Sequence, residues 1–244
     1  MELSVALENI DYAYSKGAKA VQLTGGEPML YSHLNEIVAY CAEKGMYTML
    51  ASSGINSDTC TYTKLKKNGL TAICLSVNSI DKQTNLIERD HFECTVQAIK
   101  NAVECGLLCF VNIVVTSDIL PTLDKTVSSM QSEGVAGVCL LKRVPNISGE
   151  GLPCTDFNEI DALHKIVLQY PDFVRVENCY KEYWEQTEGI TFSCDDAGEK
   201  SFFVRADGSV SPCSKLMELG YGSVEEMYIR KSEWRRNCCG VVKC

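Results

Sequence analysis

Apolar residues follow two alternating spacings along the first part of the chain. A helical spacing puts Leu3, Leu7, Ile10 and Tyr14 on one face of a first helix, which Gly17 ends. Short runs rich in Val, Ile and Leu separate this segment from later segments of the same kind. The apolar runs and the helical segments together give five predicted strands and six predicted helices before residue 172. Such a run of βα units predicts a parallel sheet with helices packed outside it.

The order of these elements narrows the fold class within α/β. A (β/α) barrel begins with a strand, whereas the first predicted element here is a helix. We therefore predict a partial (β/α) barrel missing its first strand over residues 1–176. An open sheet of flavodoxin type is the alternative that the pattern leaves open.

The alternation of helices and strands stops at about Glu177. Residues 177–244 are therefore predicted to form a small cysteine-rich C-terminal domain. They include Asp207-Gly208 between two short apolar runs, a sequence that is typical of the tight turn of a β-hairpin.

The charge and hydropathy of the chain exclude some classes of partner. A net charge of −9 argues against nucleic acid, whose phosphates require a basic surface. No apolar run approaches the roughly 20 residues that span a bilayer, and the N-terminal residues do not read as a signal peptide. We therefore predict a cytoplasmic protein with no membrane partner and with a peptide or small-molecule substrate.

Fourteen cysteines are an unusual number for such a chain, and in a reducing compartment clustered cysteines more often bind metal than form disulfides. Nine are scattered through the chain, and we expect them to pack as small hydrophobic side chains: Cys41, Cys60, Cys74, Cys94, Cys105, Cys109, Cys139, Cys154 and Cys179. The other five fall in the final 51 residues: Cys194, Cys213, Cys238, Cys239 and Cys244. The tail that carries the last three has too little periodicity to fold without help, which a metal would supply. Thiolates suit iron–sulfur clusters and structural zinc alike.

The sequence Gly25-Gly26-Glu27-Pro28 follows the first predicted strand and precedes a helix. Ligands of βα folds bind at the carboxyl ends of strands, and two glycines allow the backbone to approach a ligand closely. Glu27 adds a negative charge at this edge. An ordinary βα turn is the alternative, although such a turn rarely combines these four residues.

This segment resembles the GGEP segment of radical S-adenosylmethionine (SAM) enzymes, which in that family binds the amino group of the cofactor's methionyl part. The resemblance continues in LASSGIN, ICLSVNSID, IER and FVNIVVT further along the chain. Arg89 is the implied partner of the cofactor carboxylate. The cofactor-binding residues that the resemblance implies are Gly25, Gly26, Glu27, Pro28, Ser53, Ser76, Asn78, Arg89 and Asn112.

One part of the family pattern does not occur in these 244 residues. Radical SAM enzymes hold a 4Fe–4S cluster with three cysteines spaced CxxxCxxC, and no set of cysteines here has that spacing. The chain is therefore expected to lack the loop that generates the radical, and whether it is itself an enzyme is left open.

The C-terminal cysteines carry a second resemblance. Cys194, the turn glycine Gly208 and Cys213 are spaced as in the opening of SPASM and twitch domains, which carry auxiliary iron–sulfur clusters in radical peptide maturases. The resemblance implies one auxiliary 4Fe–4S cluster, with Cys238, Cys239 and Cys244 supplying the remaining ligands; zinc is the alternative.

These resemblances together predict a radical SAM enzyme, or a truncated form of one, that acts on a peptide or a similar substrate. They imply SAM, an auxiliary cluster and an electron donor. Two other classes stay open. One is a non-catalytic, metal-stabilised homologue that binds peptides, and the other is a zinc-stabilised scaffold without a cofactor.

Overall fold

Helices and strands alternate along the computed structural model, which describes residues 1–87, 89–142, 157–177, 198, 200–213 and 219–232. The helices are α1 Leu3–Ser15, α2 Leu34–Glu43, α3 Thr59–Lys67, α4 Lys82–Asn85, α5 Phe92–Glu104, α6 Leu120–Ser132, α7 Phe157–Gln169 and α8 Val224–Ile229, with a 3₁₀ turn at Pro28–Leu30. The strands are β1 Ala20–Leu23, β2 Tyr47–Ser52, β3 Ala72–Ser76, β4 Leu108–Val115, β5 Gly137–Lys142, β6 Val174–Val176, β7 Phe203–Val204 and β8 Val210–Ser211.

The first six strands form one parallel sheet in the order β1-β2-β3-β4-β5-β6. Strand order therefore follows chain order, as in a (β/α) barrel. The doubly wound order of flavodoxin, in which the second strand lies outside the first, is excluded. The predicted partial (β/α) barrel is confirmed.

One face of this sheet carries the core. Its fully buried residues include Leu50, Ile73, Val111 and Leu140. Because side chains alternate along a strand, Asn112 lies on the other face, where it is only half-buried. The richness of the strands in Val, Ile and Leu predicts burial on both faces, but β2 and β4 alternate between buried and half-buried positions. On β2 and β4 the second face is therefore only partly covered, whereas β3 is buried on both faces until Ser76.

Local sequence accounts for where several helices begin. The side chains of Asp58, Asp81 and Ser223 accept hydrogen bonds from the first turns of α3, α4 and α8. Such N-caps satisfy amide groups that have no partner within the helix.

The scattered cysteines divide by position. Cys41, Cys74 and Cys109 are buried as predicted, Cys105 and Cys139 are half-buried, and Cys60 on α3 and Cys94 on α5 are exposed. The prediction that these two pack in the core was wrong. Cys154 and Cys179 lie outside the described residues.

The chain forms two compact units. Glu2–Leu141 and Ala162–Arg175 make up the first, which contains most of the sheet. The second includes the predicted hairpin, which is confirmed: β7 pairs antiparallel with β8, and Gly208 takes the positive φ that the turn requires, +87°. Among the described helices, none has the length and apolar character needed to cross a membrane.

Candidate functional site

The predicted cofactor residues of the first unit gather at one edge of the sheet. Because β1 to β4 are parallel, their carboxyl ends lie side by side, in a register that pairs Leu23 with Leu50, Ser52 with Leu75 and Ser76 with Asn112. We call this edge, with the segments that follow each strand, the rim.

Glu27 is held at the rim by four hydrogen bonds. Its Oε1 accepts from the Met29 amide at 3.0 Å and the Ser52 hydroxyl at 2.8 Å. Its Oε2 accepts from the Ser53 amide at 2.7 Å and the Ser53 hydroxyl at 2.5 Å. A carboxylate has about four lone-pair positions. Protein donors therefore occupy the whole group, and Glu27 ties the loop after β1 to the end of β2.

These contacts set the protonation state of Glu27. Desolvation by burial raises the pKa of its carboxyl group, but the hydrogen bonds from Ser53, Met29 and Ser52 together lower it further, so the net shift is downward. Glu27 is therefore an anion at neutral pH, and it gives the rim a fixed negative charge.

Gly25 and Gly26 leave space beside this charge. Gly25 has φ +134°, a conformation that residues with a Cβ rarely adopt. A Cβ built on either glycine has no atom within 4 Å. Pro28 is the first residue of the 3₁₀ turn that follows. Both glycines are exposed, so their backbone groups face open space.

Helix α5 packs against the segment that follows β2. Gly54 has φ +94°, and a Cβ there would lie 3.0 Å from the Ala98 Cβ and from the Thr95 Cα. The Thr95 hydroxyl donates to the Ser53 carbonyl oxygen at 2.6 Å. The close packing and this hydrogen bond hold Ser53 in the position from which it binds Glu27.

Asn78 lies just beyond β3 and is almost completely buried. Its Oδ1 accepts from the Val114 amide at 3.0 Å and from Arg89 Nε at 3.1 Å. The side chain of Asn78 therefore joins β3, β4 and the predicted carboxylate partner Arg89.

Ser76 and Asn112 face each other across β3 and β4. Both are half-buried, whereas their neighbours Leu75 and Val111 are fully buried on the opposite face. The structure therefore brings Ser76 and Asn112 together on the accessible face of the sheet, beside the rim.

The predicted metal ligands are described only in part. Cys213 follows β8, and its carbonyl oxygen accepts from the Ser211 hydroxyl at 2.8 Å. Cys194, Cys238, Cys239 and Cys244 lie outside the described residues. Within the described part of the chain, no three His, Cys, Asp or Glu side chains come together as a metal site.

The rim of the first unit carries charges of both signs beside exposed glycine backbone. Glu27 supplies a fixed negative charge and Arg89 a positive one, from segments that follow β1 and β3. Open space lies above two glycines whose carbonyl groups can accept hydrogen bonds from an ammonium group.

Residues 1–120 match the model of the radical SAM superfamily. A probable GTP 3′,8-cyclase of Sulfurisphaera tokodaii is 27% identical over 179 residues, which cover 71% of this chain and 55% of that protein. The chain thus spans about half the length of this curated relative.

Solved structures show the same fold. Streptococcus suis SuiB bound to S-adenosylmethionine has a TM-score of 0.73 at 16% identity, covering 97% of this chain and 59% of SuiB. SuiB bound to its precursor peptide SuiA gives 0.71 at 16% identity, covering 88% and 53%. The enzyme anSMEcpe with bound AdoMet and a peptide gives 0.66 at 17% identity, covering 95% and 71%.

Residues 1–120, just under half of the chain, are similar to the radical SAM superfamily. This family uses a 4Fe–4S cluster and SAM. Sequence reasoning identified the segment at residues 25–28, but it did not identify three polar residues that organise the rim, namely Ser52, Asn85 and Thr95. Ser52 ends β2, Asn85 ends α4 and Thr95 lies in α5, and no sequence signal separates them from the neighbouring Ser, Thr and Asn residues.

Proposed function

We propose that this chain is the SAM-binding part of a radical enzyme that modifies a peptide or a similar substrate. The observation that carries the proposal is the rim at residues 25–28, where open space above two glycines adjoins a carboxylate fixed by four hydrogen bonds. The match of residues 1–120 to the superfamily supports it.

Each rim residue has a role in this proposal. The carbonyl groups of Gly25 and Gly26 accept from the cofactor's ammonium group, which the negative charge of Glu27 attracts. Arg89 binds the carboxylate, and Ser76 and Asn112 contact the remainder of the cofactor. When bound at a 4Fe–4S cluster, SAM supplies a carbon-centred radical that removes a hydrogen atom from the substrate.

The C-terminal cysteines form the second part of the proposal. Cys213, at the end of the β7–β8 hairpin, and Cys194 would ligate one auxiliary 4Fe–4S cluster, with two of the three tail cysteines Cys238, Cys239 and Cys244 completing its four thiolate ligands. A reducing cytoplasm fits thiolate-ligated iron of this kind and can supply the electron donor.

A peptide is the substrate class that we favour. SuiB and anSMEcpe, which share the fold over most of this chain, were both solved with peptides bound. GTP is the second candidate, because the curated relative with 27% identity is a probable GTP 3′,8-cyclase. The net charge of −9 disfavours a triphosphate.

Binding of SAM tests the proposal. We expect saturable SAM binding by calorimetry, and we expect Gly26→Val to abolish it, because the new side chain enters the open space at the rim without meeting protein atoms. Gly45→Asn is the control, since Gly45 precedes β2 at the opposite edge of the sheet, its Cβ also meets nothing within 4 Å, and asparagine tolerates its φ of +68°. SAM binding that survives Gly26→Val would show that the cofactor site lies elsewhere. Wild-type protein that binds peptide but not SAM would favour the non-catalytic homologue.

A further inference from the structure

Asn85, the last residue of α4, is a buried residue that the proposed chemistry does not yet use; it is 1% exposed. Its Oδ1 accepts from the Asn78 amide at 2.8 Å and from the Ser79 amide at 3.3 Å. Its Nδ2 donates to the Arg89 carbonyl at 3.4 Å, and its own carbonyl accepts from the Arg89 amide at 3.0 Å. Asn85 thus connects the start and the end of the segment between β3 and α5.

The two residues that Asn85 connects also contact each other. Arg89 Nε donates to Asn78 Oδ1, the oxygen that also accepts from the Val114 amide of β4. Fixing Nε sets the plane of the guanidinium group, because all its N–H donors lie in one rigid plane. The orientation of Arg89 therefore depends on Asn78 through the side chain and on Asn85 through the backbone.

A separate set of contacts holds the first half of this segment to α6. The Ser79 hydroxyl donates to Thr122 Oγ1 at 2.8 Å, and the Ile80 amide donates to Thr126 Oγ1 at 3.0 Å. These bonds do not involve Arg89. Loss of the Asn85 side chain leaves residues 79 and 80 attached to α6 and keeps the backbone bond from the Arg89 amide to the carbonyl of residue 85. It removes the bond to the Arg89 carbonyl and therefore loosens mainly the half of the segment that carries Arg89.

We propose that Asn85 is a positioning residue that orients Arg89 toward the carboxylate of the amino-acid group bound at the rim. This inference rests on the proposed function, because it takes SAM as the ligand. It gives a role to a buried carboxamide that connects the backbone of Asn78 and Ser79 to the backbone of Arg89. Orienting a side chain before binding lowers the ordering cost of binding.

The test compares SAM with its decarboxylated analogue, which keeps the ammonium and adenosyl groups. Asn85→Leu should weaken SAM binding about tenfold and leave the analogue unchanged, because only SAM needs Arg89. Asn85→Asp, which keeps both amide contacts made by Oδ1, should retain more of the discrimination between the two ligands. Thr126→Val is the matched control: it removes a buried contact of the same segment and should leave the ratio of the two affinities unchanged.

Two further measurements separate positioning from a general structural role. Arg89→Ala should cause little additional loss of SAM binding in the Asn85→Leu background, because both changes remove the same interaction. The NMR signal of Arg89 Nε–H should be sharp and shifted in the ligand-free wild type and averaged in Asn85→Leu. The NMR result holds whether or not SAM is the ligand, so it is distinct from failure of the proposed function.

Equal loss of both ligands in Asn85→Leu, additive losses with Arg89→Ala, or an unchanged Arg89 signal would each overturn the inference. Wild-type protein that binds neither ligand would contradict the proposed function and the choice of ligand, and the NMR comparison would then decide the positioning role alone.

Discussion

The hydrogen bonds around Glu27 make a specific prediction about Glu27→Gln. Oε1 accepts from the Met29 amide and Oε2 from the Ser53 amide, so each oxygen faces a backbone N–H donor. A glutamine amide has one acceptor end and one donor end. Either orientation therefore puts its NH₂ group against a backbone N–H.

The cost of this substitution can be estimated from the bonds lost. Hydrogen bonds to charged groups contribute about 1.5–3 kcal/mol each, and the half-buried position of Glu27 favours the lower part of that range. Ser53→Ala removes one such bond and should cost about 1.5 kcal/mol. Glu27→Gln removes at least one hydrogen bond, places the new NH₂ group against a backbone N–H group and removes the charge. It should therefore lower the free energy of unfolding by about 2–3 kcal/mol.

The cost of Glu27→Gln should also depend on pH. The folded-state pKa of Glu27 is lowered, so its ionised form adds stability above the unfolded-state pKa, and this stability is lost as the pH falls through the folded-state pKa. The difference in stability between wild type and Glu27→Gln should therefore be greatest near neutral pH and shrink in acid.

Urea denaturation over a series of pH values measures this difference. The exposed Glu8→Gln on α1 serves as the control and should change stability by less than about 0.5 kcal/mol. An equal cost of Glu27→Gln at neutral and acid pH would refute the assignment of an ionised, saturated carboxylate. So would a cost no larger than that of the control.

Three further predictions concern packing, metal and activity. Gly69→Ala would make a Cβ clash with the Ala42 Cβ at a φ of +103°, so it should lower the free energy of unfolding, measured with urea, by about 3 kcal/mol. Adding Ala42→Gly removes the clashing atom and should recover part of that cost. A double variant no more stable than Gly69→Ala would contradict the packing. Anaerobic reconstitution should load about one 4Fe–4S cluster, and Cys213→Ala should reduce its visible absorbance; stoichiometric zinc without iron uptake would overturn this. A polypeptide of these 244 residues should form no 5′-deoxyadenosine with dithionite, whereas one extended by a strand and a CxxxCxxC loop should; chromatography of both mixtures decides, and turnover by the unextended polypeptide would contradict the prediction.

The fold was largely predictable because long apolar runs report strands well. All five strands expected before residue 172 are present. The helix α4 and the strand β6 were missed because four and three residues, respectively, are too few to show a period.

The inward face of α5 shows a different limit. Helical spacing predicts Phe92, Val96, Ile99 and Val103 on that face, but the buried residues are Thr95, Ala98, Ile99 and Ala102. The helix lies so close to Gly54 that only small side chains fit between them. Hydrophobic periodicity ranks large residues first and cannot anticipate this approach.

Part of the candidate site could be predicted from the sequence and part could not. Residues 25–28 form a local motif, so their position at the rim could be predicted from sequence. Thr95 acts on Ser53 across 42 residues, and Ser52 acts on Glu27 across 25. Ser and Thr are common in turns and caps for local reasons, and nothing in the sequence distinguishes those that reach across the fold.

The rim residues are held by a series of hydrogen bonds that starts at α5, away from the ligand space. Helix α5 fixes Ser53 through Thr95, Ser53 fixes Glu27, and Glu27 fixes the loop that carries the two glycines. Every lone-pair position of Glu27 is used within the protein. In the proposed site, Glu27 therefore attracts an ammonium group through its field, and the direct hydrogen bonds fall to backbone carbonyls that the carboxylate holds in place. It follows that a change at Thr95, which is 3% exposed and contacts Ser53 rather than the ligand space, should alter affinity at the rim through geometry alone.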